Sequence, residues 1–270
     1  MKHLYIVNVI IDLVWVPFHF FVRQRYFSER RTTMNKADSW NPRTVAVSGV
    51  LDCSMLAMKY LQEYDSVLLH KPIPIDIKDF VINFLQLGII SAAITLPFIK
   101  AFVVYAPMDF SDAYSNVPLS VNSGTIILNE TVALDSPEGR FILAHEASHW
   151  LVHRESIARM QSRYSCCKSF SERNDFLDAE KMEHYFAVDP DAQVEIIADN
   201  VANALLMPAS TFYKYSLEIM EQCGFIDHKI FLGEHPDEEN TVITILSSVF
   251  DVPAYTVRNR LYTLGLYARS

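Results

Sequence analysis

His145, Glu146 and His149, within the stretch FILAHEASHWLVH from Phe141 to His153, have the spacing H-E-x-x-H. On an α-helix, residues four apart lie about 40° apart in azimuth and one turn apart along the axis, so two imidazoles can converge on a single ion. Zinc suits such a pair. Neutral imidazole nitrogens bind it at about 2.0–2.1 Å, and a hydrolytic site takes three protein donors, leaving a fourth position for water. Glu146, next to the first imidazole, is then placed to take a proton from that water.

The motif is short enough to arise by chance, so its surroundings must decide. Phe141, Ile142, Leu143, Ala144, Ala147, Trp150, Leu151 and Val152 leave hardly any polar face except the motif itself, which predicts a buried helix. Ionisable groups inside such a helix need partners, and a metal ion would satisfy three at once. Upstream, Ser136, Pro137 and Glu138 read as an N-cap, a proline at the first helical position and a first-turn carboxylate. The predicted helix starts near Pro137 and runs to about Arg154.

Two imidazoles do not hold zinc well, and a third donor is expected downstream. The pattern H-E-x-x-H-x-x-G-x-x-H is excluded, because Val152 stands where it needs glycine and Glu155 where it needs histidine. The better candidate is Glu195, in a predicted helix between Asp189-Pro190 and Met207-Pro208. Asp199, one turn later, is read as an acceptor that orients a ligating imidazole. Ala192, Ala198 and Ala202 on the same face would let this helix approach the first one closely. The other reading, a solvated Glu and Asp on an amphipathic helix, fits an alanine-lined face less well.

Three runs together, GTIILN (Gly124 to Asn129), RFILAHEASHWLVH (Arg140 to His153) and EIIADNVANALLMP (Glu195 to Pro208), resemble the ImmA/IrrE family of zinc metallopeptidases. The resemblance covers roughly Asp52 to Leu264. It implies that His145, His149 and Glu195 bind zinc, that Glu146 is the catalytic glutamate, and that the substrate is a helix-turn-helix repressor. His153 recurs in the family and is read as supporting the ligands or the fold. Members usually read H-E-L-G-H where this chain has Ala147 and Ser148, and often A-N where it has Ala198-Asp199. Neither departure touches a ligand. The connection from His149 to Glu195 is long for the family and bears on the rim of the site.

The chain has 270 residues, half of them hydrophobic and only seven of them Gly, with a formal charge of −9. This composition predicts a helix-rich globule and argues against nonspecific attraction to nucleic acid. Cys53, Cys166, Cys167 and Cys223 form no C-x-x-C pair and read as reduced thiols in the cytoplasm.

The expected fold class is α+β: a mainly helical gluzincin-like core with a small sheet and a C-terminal helix-turn-helix-like region. Three units are expected, residues 1–34 as an apolar extension, 48–215 as the metallopeptidase domain and 216–270 as a helical region. For the extension, three readings stand open: a start at Met34, a cytoplasmic-face membrane anchor through residues 4–22, and a packed extra element. Helices are expected from Asp52 to Tyr64 and from Ile77 to Leu87, then two short strands between Gly88 and Ala106 and a third at Thr125 to Leu128. Gly124, Ile126 and Leu128 are candidates for an exposed edge that holds substrate as an added strand, against a fully paired core strand.

Arg154 to Val188 reads as a helical excursion over the cleft, with His184 more simply a solvated histidine. Tyr164, Tyr185 and Tyr213 offer no assignable oxyanion donor. A helix near Ser210 to Cys223 and an acidic linker through Glu239 precede two helices, which span Thr241 to Leu264 and turn at Asp251. With only Arg258, Arg260 and Arg269 basic, this tail reads as scaffold rather than as a DNA-binding surface. The expected activity is that of a zinc-dependent endopeptidase with one Zn²⁺ per chain. The alternative is a non-proteolytic module that binds a repressor or DNA.

Overall fold

The computed structural model describes residues 42–94, 99–114, 118–159, 164–168 and 190–268, so the apolar extension and its span 4–22, His184 and Tyr185 lie outside the described residues. The fold is α+β, with seven α-helices and small sheets among the described residues. None of these helices is long and apolar enough to cross a membrane.

Helix α1 (Pro42–Tyr64) begins ten residues before its expected start and buries Cys53, Ala57 and Leu61, four apart on one face. Asp76 caps the short α2 (Ile77–Asp79), its carboxylate accepting from the Asp79 amide at 3.0 Å. In place of the α-helix expected to Leu87, the chain continues as a π-helical turn (Phe80–Phe84) that stacks Phe80 on Phe84 and sets Tyr64 edge-on to Phe80. Aromatic packing there outweighs the regular α-helical register.

Strands β1 (Gly88–Ala92) and β2 (Ile99–Val104) follow, then the hairpin of β3 (Met108–Phe110) and β4 (Leu119–Val121), then β5 (Thr125–Asn129). Helix α3 (Pro137–Arg159) carries the H-E-x-x-H motif, and β6 (Tyr164–Lys168) returns to the sheet. The main sheet has the order β1-β5-β2-β6, with β1 and β5 parallel and the other pairs antiparallel.

Two expectations are corrected here. Strand β5 is an interior strand, paired with β1 on one side and β2 on the other, so its backbone has no edge to offer a substrate at Ile126 or Leu128. All five of its residues are buried: Ile126 and Leu128 join the main core and Ile127 faces the smaller cluster with Phe102, Val104 and Val121. Cover on both faces explains the unbroken apolar run. Gly124 instead makes the turn into β5 at φ +80°, close to Leu87 and Trp150. Second, Tyr164–Lys168 is a strand, not part of a helical excursion. It pairs with β2, placing Cys166 opposite Phe102.

The C-terminal half is helical. It comprises α4 (Pro190–Leu206), α5 (Ala209–Gln222), the short β7 (Ile230–Phe231), α6 (Pro236–Phe250), α7 (Ala254–Thr263) and β8 (Tyr267–Ala268), which pairs with β7. Asp237, Glu238 and Glu239, expected as linker, form the first turn of α6, where the helix dipole favours carboxylates. Asp251 ends that helix in the left-handed region at φ 51°. Val242, Leu246, Val257 and Leu261 are fully buried in the same apolar cluster as Ala57, Leu143 and Ala202. The expected division between residues 215 and 216 falls inside α5, and one core joins both sides of it.

Of the tail's arginines, Arg258 pairs with Glu239 at 3.5 Å. Arg260 is buried and donates to the Met207 carbonyl and to Ser54 Oγ. Its burial lowers its pKa to about 10. Arg260 therefore serves the interior, whereas Arg258 is partly exposed and tied to α6 through Glu239 and Asn240. Arg269 lies outside the described residues.

Candidate metal centre

Helix α3 is held at its start by a tight set of contacts. Ser136 caps it, its Oγ accepting from the Gly139 amide at 3.0 Å and donating to the Ala133 carbonyl at 2.6 Å. Gly139 is required by closeness, because a Cβ there would stand 2.2 Å from the same carbonyl oxygen. Arg140 reaches from the first turn to the carbonyls of Ile75 at 2.9 Å and Asp251 at 3.0 Å, and its Nε also meets the Asp251 carboxylate. Sequence reasoning passed over Arg140. The usable signal was its position: a cation in the first turn opposes the helix dipole, so it needs a tertiary partner.

Further along α3, His145, Glu146 and His149 are all fully buried. Helix α4 packs against α3, and Ala198 and Ala202 on α4 are at zero exposure. That contact brings in Glu195 and Asp199, 50 and 54 residues beyond His145.

His145 Nε2 lies 2.9 Å from His149 Nε2 and 3.1 Å from Glu195 Oε2, and His149 Nε2 lies 3.4 Å from Glu195 Oε1. These three residues are a group able to hold a metal ion, with one ligand atom of each lying within 4.8 Å of the others. Donors bonded tetrahedrally at about 2.0–2.1 Å would stand about 3.3–3.4 Å apart, close to the spacing seen.

The donor chemistry fits a cation. Asp199 Oδ1 lies 2.7 Å from His145 Nδ1. A carboxylate there accepts the Nδ1 proton, which leaves Nε2 as a lone pair facing the cluster. Burial lowers the pKa of His149, although the nearby Glu195 pulls the other way. Burial would raise the pKa of Glu195, but the imidazoles of His149 and His145 beside it hold it well below the usual carboxylate range. Divalent metals bind the neutral imidazole and the ionised carboxylate. Lone pairs and a negative charge turned toward one point repel unless a cation shares it.

His153 follows one turn after His149, with ring centroids 5.6 Å apart. It is 3% exposed, and its pKa is pushed down to about 3 by burial and by His149, against a hydrogen bond to the backbone of Val194. That bond favours the charged ring, so the acceptor is the carbonyl. Because Nε2 makes no hydrogen bond among the described residues, the donor is Nδ1.

The site is closed on most sides, and Glu195, whose side chain is 21% exposed, reaches toward the surface. A cavity of about 480 Å³ lies at the base of α3 beside Lys78, Asp135 and Arg140. Another of about 340 Å³ borders β1, Phe110 and Leu119. Neither is lined by a donor residue. Tyr213 is 43% exposed on α5, and the Tyr164 backbone belongs to β6.

No family model, curated protein or solved structure matches this chain. The candidate centre stands on its donor set and geometry.

Proposed function

We propose that this chain is a zinc-dependent endopeptidase of the gluzincin type, with His145, His149 and Glu195 as the zinc ligands. The observation that carries the reading is the convergence of these three donors from two helices, with a fully buried glutamate one residue after the first of them. Bound zinc would lower the pKa of a water toward about 7 and polarise the scissile carbonyl. Glu146 accepts the proton of the attacking water and delivers it to the leaving amine. Asp199 keeps His145 in the tautomer that presents Nε2.

The resemblance to the ImmA/IrrE family supplies the substrate class, a helix-turn-helix repressor met in the cytoplasm. Co-expression with helix-turn-helix regulators encoded next to the gene tests both parts. The native chain should yield a repressor fragment, and Glu146→Gln should retain metal and yield none. A fragment produced equally by the Glu146→Gln chain refutes the mechanism.

The complete burial of His145, Glu146 and His149 favours a second reading, a non-proteolytic module in which the ion is structural. In the same experiment, such a module would hold its partner stoichiometrically and leave it uncut.

A further inference from the structure

The two ligand imidazoles are supported unequally. The outward nitrogen of His145 has Asp199 at 2.7 Å, whereas the outward Nδ1 of His149 is buried and makes no hydrogen bond among the described residues. The neighbouring ring is that of His153, whose Nε2 is likewise buried and without a hydrogen bond. The two atoms are chemically complementary. If Nε2 of His149 faces the ion, its Nδ1 carries the proton and must donate. If Nδ1 of His153 donates to Val194, its Nε2 has a lone pair and can accept. Two buried unsatisfied polar atoms of opposite character on adjacent rings are rare without a reason.

We propose that His153 is the positioning residue for His149: its Nε2 accepts the His149 Nδ1 proton, directly after a small ring rotation or through one water, as Asp199 does for His145. The inference rests on the metal-centre reading above. It assigns a neutral imidazole the task that a carboxylate performs on the other ligand. It also gives the Val194 bond a purpose. With Nδ1 committed to that carbonyl, the His153 ring is held in the accepting tautomer and α3 is tied to the residue directly before Glu195. One side chain thus orients an imidazole ligand and locates the carboxylate ligand.

The test is zinc affinity, measured by chelator competition on the full chain and three variants, with thermal unfolding of each metal-free protein as a check on folding. His153→Asn keeps a donor near Nδ1 and removes the acceptor, His153→Gln puts an acceptor oxygen near Nε2, and His153→Leu supplies neither. The Asn and Leu variants should bind zinc about 10- to 100-fold more weakly, the range found when a partner of a ligating imidazole is removed, and Gln should return to within about threefold of the native chain. Native-like affinity in the folded Asn variant would overturn the inference while leaving the metal site intact. Equal weakening in Asn and Gln would also overturn it, leaving His153 a packing residue. A native chain that binds no zinc would overturn the donor set itself and this inference with it.

Discussion

Gly139→Ala sets two physical effects against each other at the base of the metal-bearing helix. Helix propensity alone favours alanine over glycine by about 1 kcal/mol in a helix interior. The structure reverses that sign. The new Cβ would stand 2.2 Å from the Ala133 carbonyl oxygen, 2.9 Å from its carbon and 2.9 Å from Leu134 Cα, all backbone atoms that no rotamer change can clear. Restoring an ordinary contact requires a movement of about 1 Å. The carbonyl that must move accepts from both the Ser136 amide at 2.9 Å and Ser136 Oγ at 2.6 Å.

Losing those two bonds costs about 0.5–1.5 kcal/mol each, and disturbing the Ser136 cap adds roughly 1 kcal/mol. Set against the propensity gain, the expected net loss is about 1–3 kcal/mol. Thermal unfolding followed by circular dichroism should show a Tm lower by roughly 3–10 °C. A Gly139→Ala protein melting at or above the native temperature would refute the argument, and with it the seating of α3 on the loop at residues 133–134.

Asp199→Ala should weaken divalent-metal binding by about 10- to 100-fold, since it leaves the buried Nδ1–H of His145 without its acceptor, and Asp199→Asn should fall between the two; isothermal titration with zinc checks this order. Tyr267 gives a pH dependence of definite sign. Burial, reinforced by its hydrogen bond to Glu239 at 2.8 Å, raises its folded pKa above the ordinary value near 10. The stabilisation of the neutral phenol is complete below about pH 10 and is lost as the pH climbs through the folded value, so denaturant midpoints should fall along that limb. Tyr267→Phe should lower stability at pH 8 by about 1 kcal/mol and flatten the alkaline decline; an unchanged decline would show that the phenol is not its source.

What was legible in the sequence is what local periodicity controls. The four-residue step of an α-helix alone places His145 and His149 on one face, and Ser136-Pro137 marks the start of that helix before any tertiary contact forms. Likewise Ala198 and Ala202 announce a face for close helix packing, and Asp251 sits where the last two helices must turn. Helix ends were less legible, because α3 continues to Arg159 and the turn after Asp79 becomes π-helical to suit aromatic neighbours.

Strand position was not legible at all. The run from Gly124 to Asn129 reads alike as an edge or as a central strand, and only the pairing of β1 and β2 on its two sides settled the matter. Tyr164–Lys168 likewise becomes a strand because β2 offers it a free edge, not through any alternation of its own. The distance from Glu195 to the imidazoles belongs to the same class. Fifty residues of chain constrain it hardly at all, so the approach of α4 to α3 brings the carboxylate to 3.1 Å from His145. Side chains within one helix are related by covalent geometry, whereas those on different elements are related only by which faces the core buries together.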